Sequence, residues 1–149
     1  MAQYLRLARP YFLLLALFTI GRWLMGTAFK QPYDRGNPVF SLITLTALSA
    51  VYYGAFCRRW RGFSAWQAAI MGFVMGLASQ IVIFLATVLS YVLDINTYFN
   101  HPIAMNAPGP LTLGQAVVTR LGGLVANPIS AGIMGALGWA FGGLLPPEK

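Results

Sequence analysis

The chain has 149 residues, of which 58% are hydrophobic and 9% charged, and its formal net charge is +7. A soluble domain usually carries about 25% charged residues, so this composition excludes an ordinary water-soluble protein and indicates an integral membrane protein. The positive charge does not indicate nucleic-acid binding, because the basic residues flank the apolar segments instead of forming one patch, as in proteins that orient themselves in a bilayer.

The predicted fold is all-α, a single transmembrane domain over residues 1–149 built as a polytopic four-transmembrane-helix bundle. A helix needs about 20 apolar residues to cross a bilayer, so the length allows four spans and no soluble domain beside them. Cys57 is the only cysteine, which excludes an intrachain disulfide and a cysteine-based metal site. No cofactor and no metal are expected.

The first two spans are predicted at about residues 11–29 and 39–57. Arg6 and Arg9 precede the first one, as basic residues precede a signal peptide, but the length of this run and the further runs favour an uncleaved span. Pro38 stands at the entry of the second, and proline suits the first turn of a helix.

The third span is predicted at about residues 65–93. Ser64 and Gln67 have the spacing of a capping box, in which each side chain accepts a hydrogen bond from the backbone amide of the other residue. A helix of ~30 residues is ~45 Å long, so it should tilt or extend beyond the bilayer core.

The last apolar segment, residues 113–145, is too long for one straight span and is interrupted by Pro128, which removes an amide donor. One interpretation is an interfacial or re-entrant helix over about residues 113–126, followed by a span over about residues 128–145. The other is one long kinked helix, and the sequence leaves both open. Thr112 and Gln115 form a second possible capping box.

Basic residues predict the orientation, because lysine and arginine stay on the cytoplasmic side. The two predicted outer loops contain only Lys30 and Arg35. Both termini are therefore expected in the cytoplasm, with the protein in a bacterial inner membrane. The residues expected on the inner side are Arg6, Arg9, Arg58, Arg59, Arg61 and Lys149.

Small residues recur at three- or four-residue steps in the third and fourth spans, and small residues let helices approach closely in lipid. The simpler interpretation is that these two spans pack together within one bundle; the alternative is an oligomer face or a docking face for a partner protein. The helix-packing candidates are Gly72, Gly76 and Ser79 in span three and Gly135, Gly138 and Gly142 in span four.

Gln80 lies near the middle of span three, where a buried amide needs a hydrogen-bond partner. Thr19, Thr44 and Ser49 lie at comparable depth and are the expected partners. Hydrogen bonding between helices is a sufficient role for such an amide.

Arg22 is the one charge well inside a predicted span, and an arginine at mid-membrane costs about 2.5–3.5 kcal/mol on insertion scales. Asp94 is the first choice of partner and Asp34 the second, since Arg22 can reach the outer side by extending its side chain. An arginine–aspartate pair between spans, or a contact with a lipid phosphate, explains Arg22 structurally.

A functional interpretation gathers more residues at the outer face, where two arginines could hold a carboxylate, a phosphate or a lipid headgroup. His101 is the only histidine, which excludes a bis-histidine haem site within one chain, and a surface or helix-cap role suits it. The ligand candidates are Arg22, Arg120, Asp94, Asp34, His101 and Asn127.

The sequence contains no catalytic triad, paired carboxylates or phosphate-binding loop, so an enzyme is not expected. The leading hypothesis is a non-catalytic accessory or scaffold subunit of a membrane complex, or a homo-oligomer, with membrane lipids as partners and a polar cluster that contacts lipid or an anion. A small transporter or channel for an anion or lipid, acting as an oligomer, is the alternative. A membrane enzyme acting on lipid or quinone is the third hypothesis.

Overall fold

The computed structural model describes residues 2–146 and is all-helical over that range, as predicted. Three helical segments are long and apolar enough to cross a membrane: Arg9–Thr27, Ala65–Val92 and Leu113–Leu144. The α-helices are α1 (Ala2–Leu7), α2 (Arg9–Thr27), α3 (Leu42–Arg61), α4 (Ala65–Val92) and α5 (Leu113–Phe141), and short 3-10 helices cover Pro102–Met105 and Gly142–Leu144.

The helix α3, which corresponds to the second predicted span, is not among these three segments. It has 20 residues, but three arginines occupy its last turn and hydroxyl side chains interrupt its apolar residues. It begins at Leu42, three residues later than predicted. Pro38 lies in the preceding turn, Phe40 adopts a left-handed backbone conformation with φ of 51°, and Ser41 caps the helix by accepting a hydrogen bond from the Thr44 amide.

Both predicted capping boxes are present. At the start of α4, the Ser64 hydroxyl accepts from the Gln67 amide at 3.3 Å, and the Gln67 side chain accepts from the Ser64 amide at 2.9 Å. Thr112 and Gln115 repeat this pair at the start of α5. Each box satisfies two amides that lack partners inside the helix, and it fixes the residue at which the helix begins.

The fifth helix runs through Pro128 without interruption. The structure therefore contains one continuous helix, in place of an interfacial or re-entrant helix over 113–126 followed by a separate span over 128–145. Proline is tolerated inside membrane helices when neighbours stabilise the freed backbone. Here Pro128 is fully buried and lies against Gly76 of α4, so close packing holds the helix together at that point.

The core of the bundle consists of α3, α4 and α5, and α2 packs along α3 and α4. Gly72 and Gly76 of α4 contact Ala131 of α5, and Gly135 contacts Ala68 of α4. The rest of the α5 stripe faces α3, whereas the simpler interpretation paired this stripe with the third span alone. A methyl group on Gly138 would overlap the carbonyl oxygen of Val51 in α3, and one on Gly142 would lie 2.7 Å from the carbonyl oxygen of Ala55.

The two ends of the bundle differ. The basic end contains the α3–α4 connection, where Arg58 donates hydrogen bonds to the carbonyls of Trp139 and Ala140 at the end of α5. The loop end contains the connections 28–41 and 93–112. Lys149, which contributed to the orientation prediction, lies outside the described residues.

The start of α3 is recessed below the loop end. Residues 62–64 join α3 to α4 at the basic end, and at 1.5 Å per residue α3 is about 30 Å long and α4 about 42 Å. The first residue of α3 therefore lies roughly 12 Å short of the end of α4. The chain reaches it by descending beside α2, where the Phe40 ring contacts Gly21 and Phe18. The recess leaves space between the two loops and the first turn of α3.

Candidate functional site

A cavity of about 400 Å³ occupies this recess at the loop end. Five elements contribute to its wall: α2, the first turn of α3, α4 and the two long loops. We call it the loop-end cavity. Its lining residues are Arg22, Tyr33, Arg35, Ser41, Leu42, Ile43, Thr44, Ile83, Tyr98, Phe99, Ala104 and Asn106.

Arg22 lies in this cavity with only 9% of its surface exposed. Its guanidinium donates one hydrogen bond to the Val39 carbonyl at 3.1 Å. The guanidinium carbon is 4.8 Å from the centroid of the Tyr98 ring and 5.3 Å from that of Tyr33. Aromatic faces attract a cation by about 0.5–2 kcal/mol each, more when water is excluded. Two tyrosines and one carbonyl therefore provide the surroundings of this buried charge.

The predicted pair of Arg22 with Asp94 or Asp34 is not formed. The Asp34 carboxylate accepts a hydrogen bond from the Gly36 amide at 2.8 Å and is exposed. Asp94 is exposed in a left-handed conformation directly after α4. Both acids lie in surface turns, where water and local amides stabilise a carboxylate. No carboxylate among residues 2–146 pairs with Arg22.

The two long loops are tied together around the cavity. Arg35 donates hydrogen bonds to the Ile103 carbonyl and to Oδ1 of Asn106, the latter at 2.6 Å. The Tyr98 hydroxyl contacts the carbonyls of Gln31 and Pro32 at 3.0 Å each. These cross-loop bonds fix the position of Arg35 and of the two tyrosine rings.

His101 stacks on Tyr33, with the ring centroids 4.7 Å apart and the rings nearly parallel. Its Nδ1 accepts a hydrogen bond from the Ile103 amide and caps the 3-10 helix of this loop. His101 therefore has the helix-cap role that the sequence suggested and supports the Tyr33 side of the wall. It does not line the cavity itself.

The first turn of α3 faces the cavity with unpaired backbone donors. Ser41 accepts from the Thr44 amide, but the amides of Leu42 and Ile43 have no acceptor among residues 2–146. The N-terminus of a helix carries about half a positive charge, and such amides readily bind phosphate or carboxylate. Two arginines and this helix end line the cavity, and no described acid does. The chemistry therefore suits an anion.

Arg120 supports the wall from behind. Its Nε donates to the Thr87 hydroxyl at 2.9 Å, and a terminal nitrogen donates to the Phe99 carbonyl at 2.6 Å. Thr87 also donates to the same Phe99 carbonyl. These bonds tie α5 and α4 to the loop that carries Tyr98. Arg120 was expected beside Arg22 as a ligand group, but it does not line the cavity and positions the loop instead.

A second cavity, with a mostly apolar wall, lies deeper between α3 and α5 with α4 as its floor, and we call it the α3–α5 cleft. It has a volume of about 170 Å³. Asn127 is placed here and not at the loop end. The cleft is lined by Ile43, Thr46, Ala47, Gly76, Ser79, Gln80, Asn127, Ser130, Ala131 and Met134.

Ser79 and Gln80 in this cleft are 1% and 5% exposed. The Ser79 hydroxyl has no hydrogen-bond partner among residues 2–146, and an unpaired buried hydroxyl costs roughly 1–3 kcal/mol on protein mutational scales. Two of the three expected partners of Gln80 are engaged elsewhere, since Thr19 donates to its own helix and Thr44 to Ser41. Ser49, the third, forms no hydrogen bond with Gln80. The Gln80 and Asn127 amides instead face Gly123, where a methyl group would lie 3.0 Å from Oε1 of Gln80 and 3.4 Å from Nδ2 of Asn127.

Comparison of the chain with protein-family models, with curated proteins and with solved structures found no match. Within residues 2–146, no group of three or more histidine, cysteine or acidic side chains could hold a metal ion. The site is therefore interpreted from its own geometry.

Sequence reasoning missed Arg35, the tyrosine pair around Arg22 and the start of α3. Arg35 was interpreted only as a loop charge, and neither Tyr33 nor Tyr98 was expected beside Arg22. One signal was available, because an arginine within a span and without an acid of its own requires aromatic or carbonyl partners. The recessed start of α3 had no comparable signal, since it depends on the relative lengths of two packed helices.

Proposed function

We propose that this protein is an integral membrane protein with four transmembrane helices, α2 to α5, and that it binds an anionic group in the loop-end cavity. Three helices meet the length and hydropathy expected of a span, and α3 packs against two of them. The arginines at the end of α3 lie at the same end as Arg6 and Arg9. This distribution supports cytoplasmic termini and a bacterial inner membrane.

The observation that carries the proposal is Arg22, a buried guanidinium that lines a cavity without a carboxylate. A guanidinium has five N–H donors, and Arg22 makes one hydrogen bond within residues 2–146. Charge-assisted hydrogen bonds to phosphate or carboxylate oxygens are about twice as strong as neutral ones. The anion is a lipid headgroup phosphate or a free phosphate or carboxylate, which share this chemistry.

In this proposal the protein is a non-catalytic accessory or scaffold subunit, working with lipids and with copies of itself or other membrane proteins. The second candidate is a transporter or channel for the anion or lipid. The recessed start of α3 favours it, because helix ends that point at a site inside the bilayer are typical of transporters. Retained anion flux through liposomes containing an Arg22→Leu variant would remove the support for transport.

Binding of inorganic phosphate and of phosphatidylglycerol to purified protein tests the proposal. Arg22→Gln should weaken the binding of both by about tenfold or more, since a hydrogen bond to a charged group contributes about 1.5–3 kcal/mol. Arg6→Gln is the matched control, because it removes the same charge from an exposed residue at the basic end, and it should change either affinity less than twofold. Equal losses in the two variants would mean that net charge alone attracts the anion, which contradicts the proposal.

Cysteine labelling tests the orientation. In a Cys57→Ser background, a membrane-impermeant maleimide added to intact cells should label His101→Cys in the loop end and not Arg61→Cys at the basic end. The opposite pattern would reverse the proposed topology, and labelling of neither residue before lysis would contradict exposure of the loop end outside the cell.

A further inference from the structure

The α3–α5 cleft combines polar groups with an opening toward the surface of the bundle. At the basic end, Gly138 holds α5 directly against α3. Farther along, the same two helices leave the cleft between them, with Ile43 and Met134 exposed at its rim. Ile43 is 61% exposed. In a bilayer, this rim faces the lipid chains, so a molecule dissolved in the membrane can reach the cleft from the side.

The floor of the cleft presents hydrogen-bonding groups that the protein does not use. Gln80 and Asn127 line the cleft, and none of the side-chain hydrogen bonds of the described chain includes either amide. Hydrocarbon tails offer neither donors nor acceptors, and buried polar groups in native proteins are nearly always paired. A ligand with a neutral ester, amide or hydroxyl group would satisfy them.

The cleft and the loop-end cavity adjoin each other. Ile43 lines both. On α4, Ile83 lines the loop-end cavity and Gln80 lines the cleft, and three residues along a helix correspond to about 4.5 Å. Between Arg22 and Gln80 the environment changes from cationic to neutral polar, and beyond Gln80 it becomes apolar.

We propose that the two cavities form one binding site for an anionic amphiphile. Its charged head lies against Arg22 and the start of α3, its neutral linkage bonds to Gln80 and Asn127, and its apolar chain leaves between α3 and α5. This inference rests on the proposed function and deepens it, because it identifies the anion as part of a membrane amphiphile and not as a free ion.

The test compares two probes, lysophosphatidylglycerol and inorganic phosphate, on the purified full-length protein. Gln80→Leu removes one amide of the cleft at nearly constant volume, and Asn127→Leu removes the other. Each should weaken lysophosphatidylglycerol binding about three- to tenfold, the effect of one neutral hydrogen bond, and leave phosphate binding within twofold.

A blocking variant provides an independent readout. Ile43→Trp places a large ring where the cavities meet and should reduce lysophosphatidylglycerol binding at least tenfold. Ile133→Trp is its matched control, because Ile133 is an exposed isoleucine of α5 with 57% of its surface accessible that lines neither cavity. It should leave binding unchanged.

The outcomes separate the two proposals. If the cleft variants and Ile43→Trp leave lysophosphatidylglycerol binding within twofold while Arg22→Gln weakens both probes, the amphiphile inference is wrong and the anion site remains. Equal weakening of phosphate and lysophosphatidylglycerol by Gln80→Leu also overturns the amphiphile inference. If Arg22→Gln weakens neither probe, the proposed function itself is wrong.

Discussion

A methyl group at Gly138 would overlap the backbone carbonyl of Val51. A backbone atom cannot move aside as the end of a flexible side chain can, so Gly138→Ala should force α3 and α5 apart. Adding methylenes to a packed interface costs about 1–3 kcal/mol. Alanine also stabilises a helix by about 1 kcal/mol relative to glycine, which offsets part of this cost. The free energy of unfolding should therefore fall by roughly 0–2 kcal/mol in this variant.

Gly122 provides the matched control for this measurement. It lies in the same helix, and a methyl group there would meet nothing within 4 Å. Gly122→Ala should gain only the stabilisation by helix propensity. The difference in the free energy of unfolding between the two variants therefore measures the steric cost alone, which should be about 1–3 kcal/mol. Reversible unfolding in mixed micelles of mild detergent and dodecyl sulfate, followed by circular dichroism, measures both free energies.

A difference below about 0.5 kcal/mol, the range of ordinary surface substitutions, would refute the close contact between Gly138 and Val51. The dependence on protein concentration provides a second criterion. Contacts within one chain give a free energy of unfolding that does not change with protein concentration, whereas an oligomer face gives one that does. A concentration-dependent loss in Gly138→Ala would favour the alternative in which the glycine stripe joins two chains.

Three further substitutions test other contacts of the fold. Tyr11→Phe removes the hydroxyl that bonds Thr46 at 2.9 Å and should lower the free energy of unfolding by about 0.6–1.7 kcal/mol in the same assay. Arg120→Met removes two hydrogen bonds to the wall of the site; limited proteolysis should cut the loop between α4 and α5 faster, with helix content unchanged. Arg58→Gln removes a guanidinium 4.4 Å from the ring centroid of Trp139, and the tryptophan emission should shift; an unchanged spectrum would contradict that contact.

Local chemistry made several features of the fold predictable. Ser64 and Gln67 are close in sequence, and the rule for a capping box involves only neighbouring residues, so the start of α4 followed directly. The small-residue steps of α4 and α5 likewise indicated which faces would pack. The partner of each face was harder to predict, because Gly138 and Gly142 contact α3 through an arrangement that depends on how three helices are placed together.

The candidate site depended on non-local geometry, and the sequence indicated only part of it. Arg22 was recognisable as an unusual charge inside a span. Its surroundings were not, because Tyr98 is 76 residues away in the chain and reaches Arg22 only after both long loops have folded over the end of the bundle. Asp94 was the expected partner because of its charge alone. Its positive φ belongs to a surface turn, and opposite charge does not predict that turn.

The short length of α3 has an electrical consequence for a protein in an energised membrane. In the proposed membrane topology, solution that filled the recess would carry the potential of that side down to the first residue of α3, so the voltage beside the recess would fall over the roughly 30 Å of α3. Moving one elementary charge through the full potential corresponds to about 2.3 kcal/mol per 100 mV. The proposed anion beside Arg22 would lie near the edge of this voltage drop.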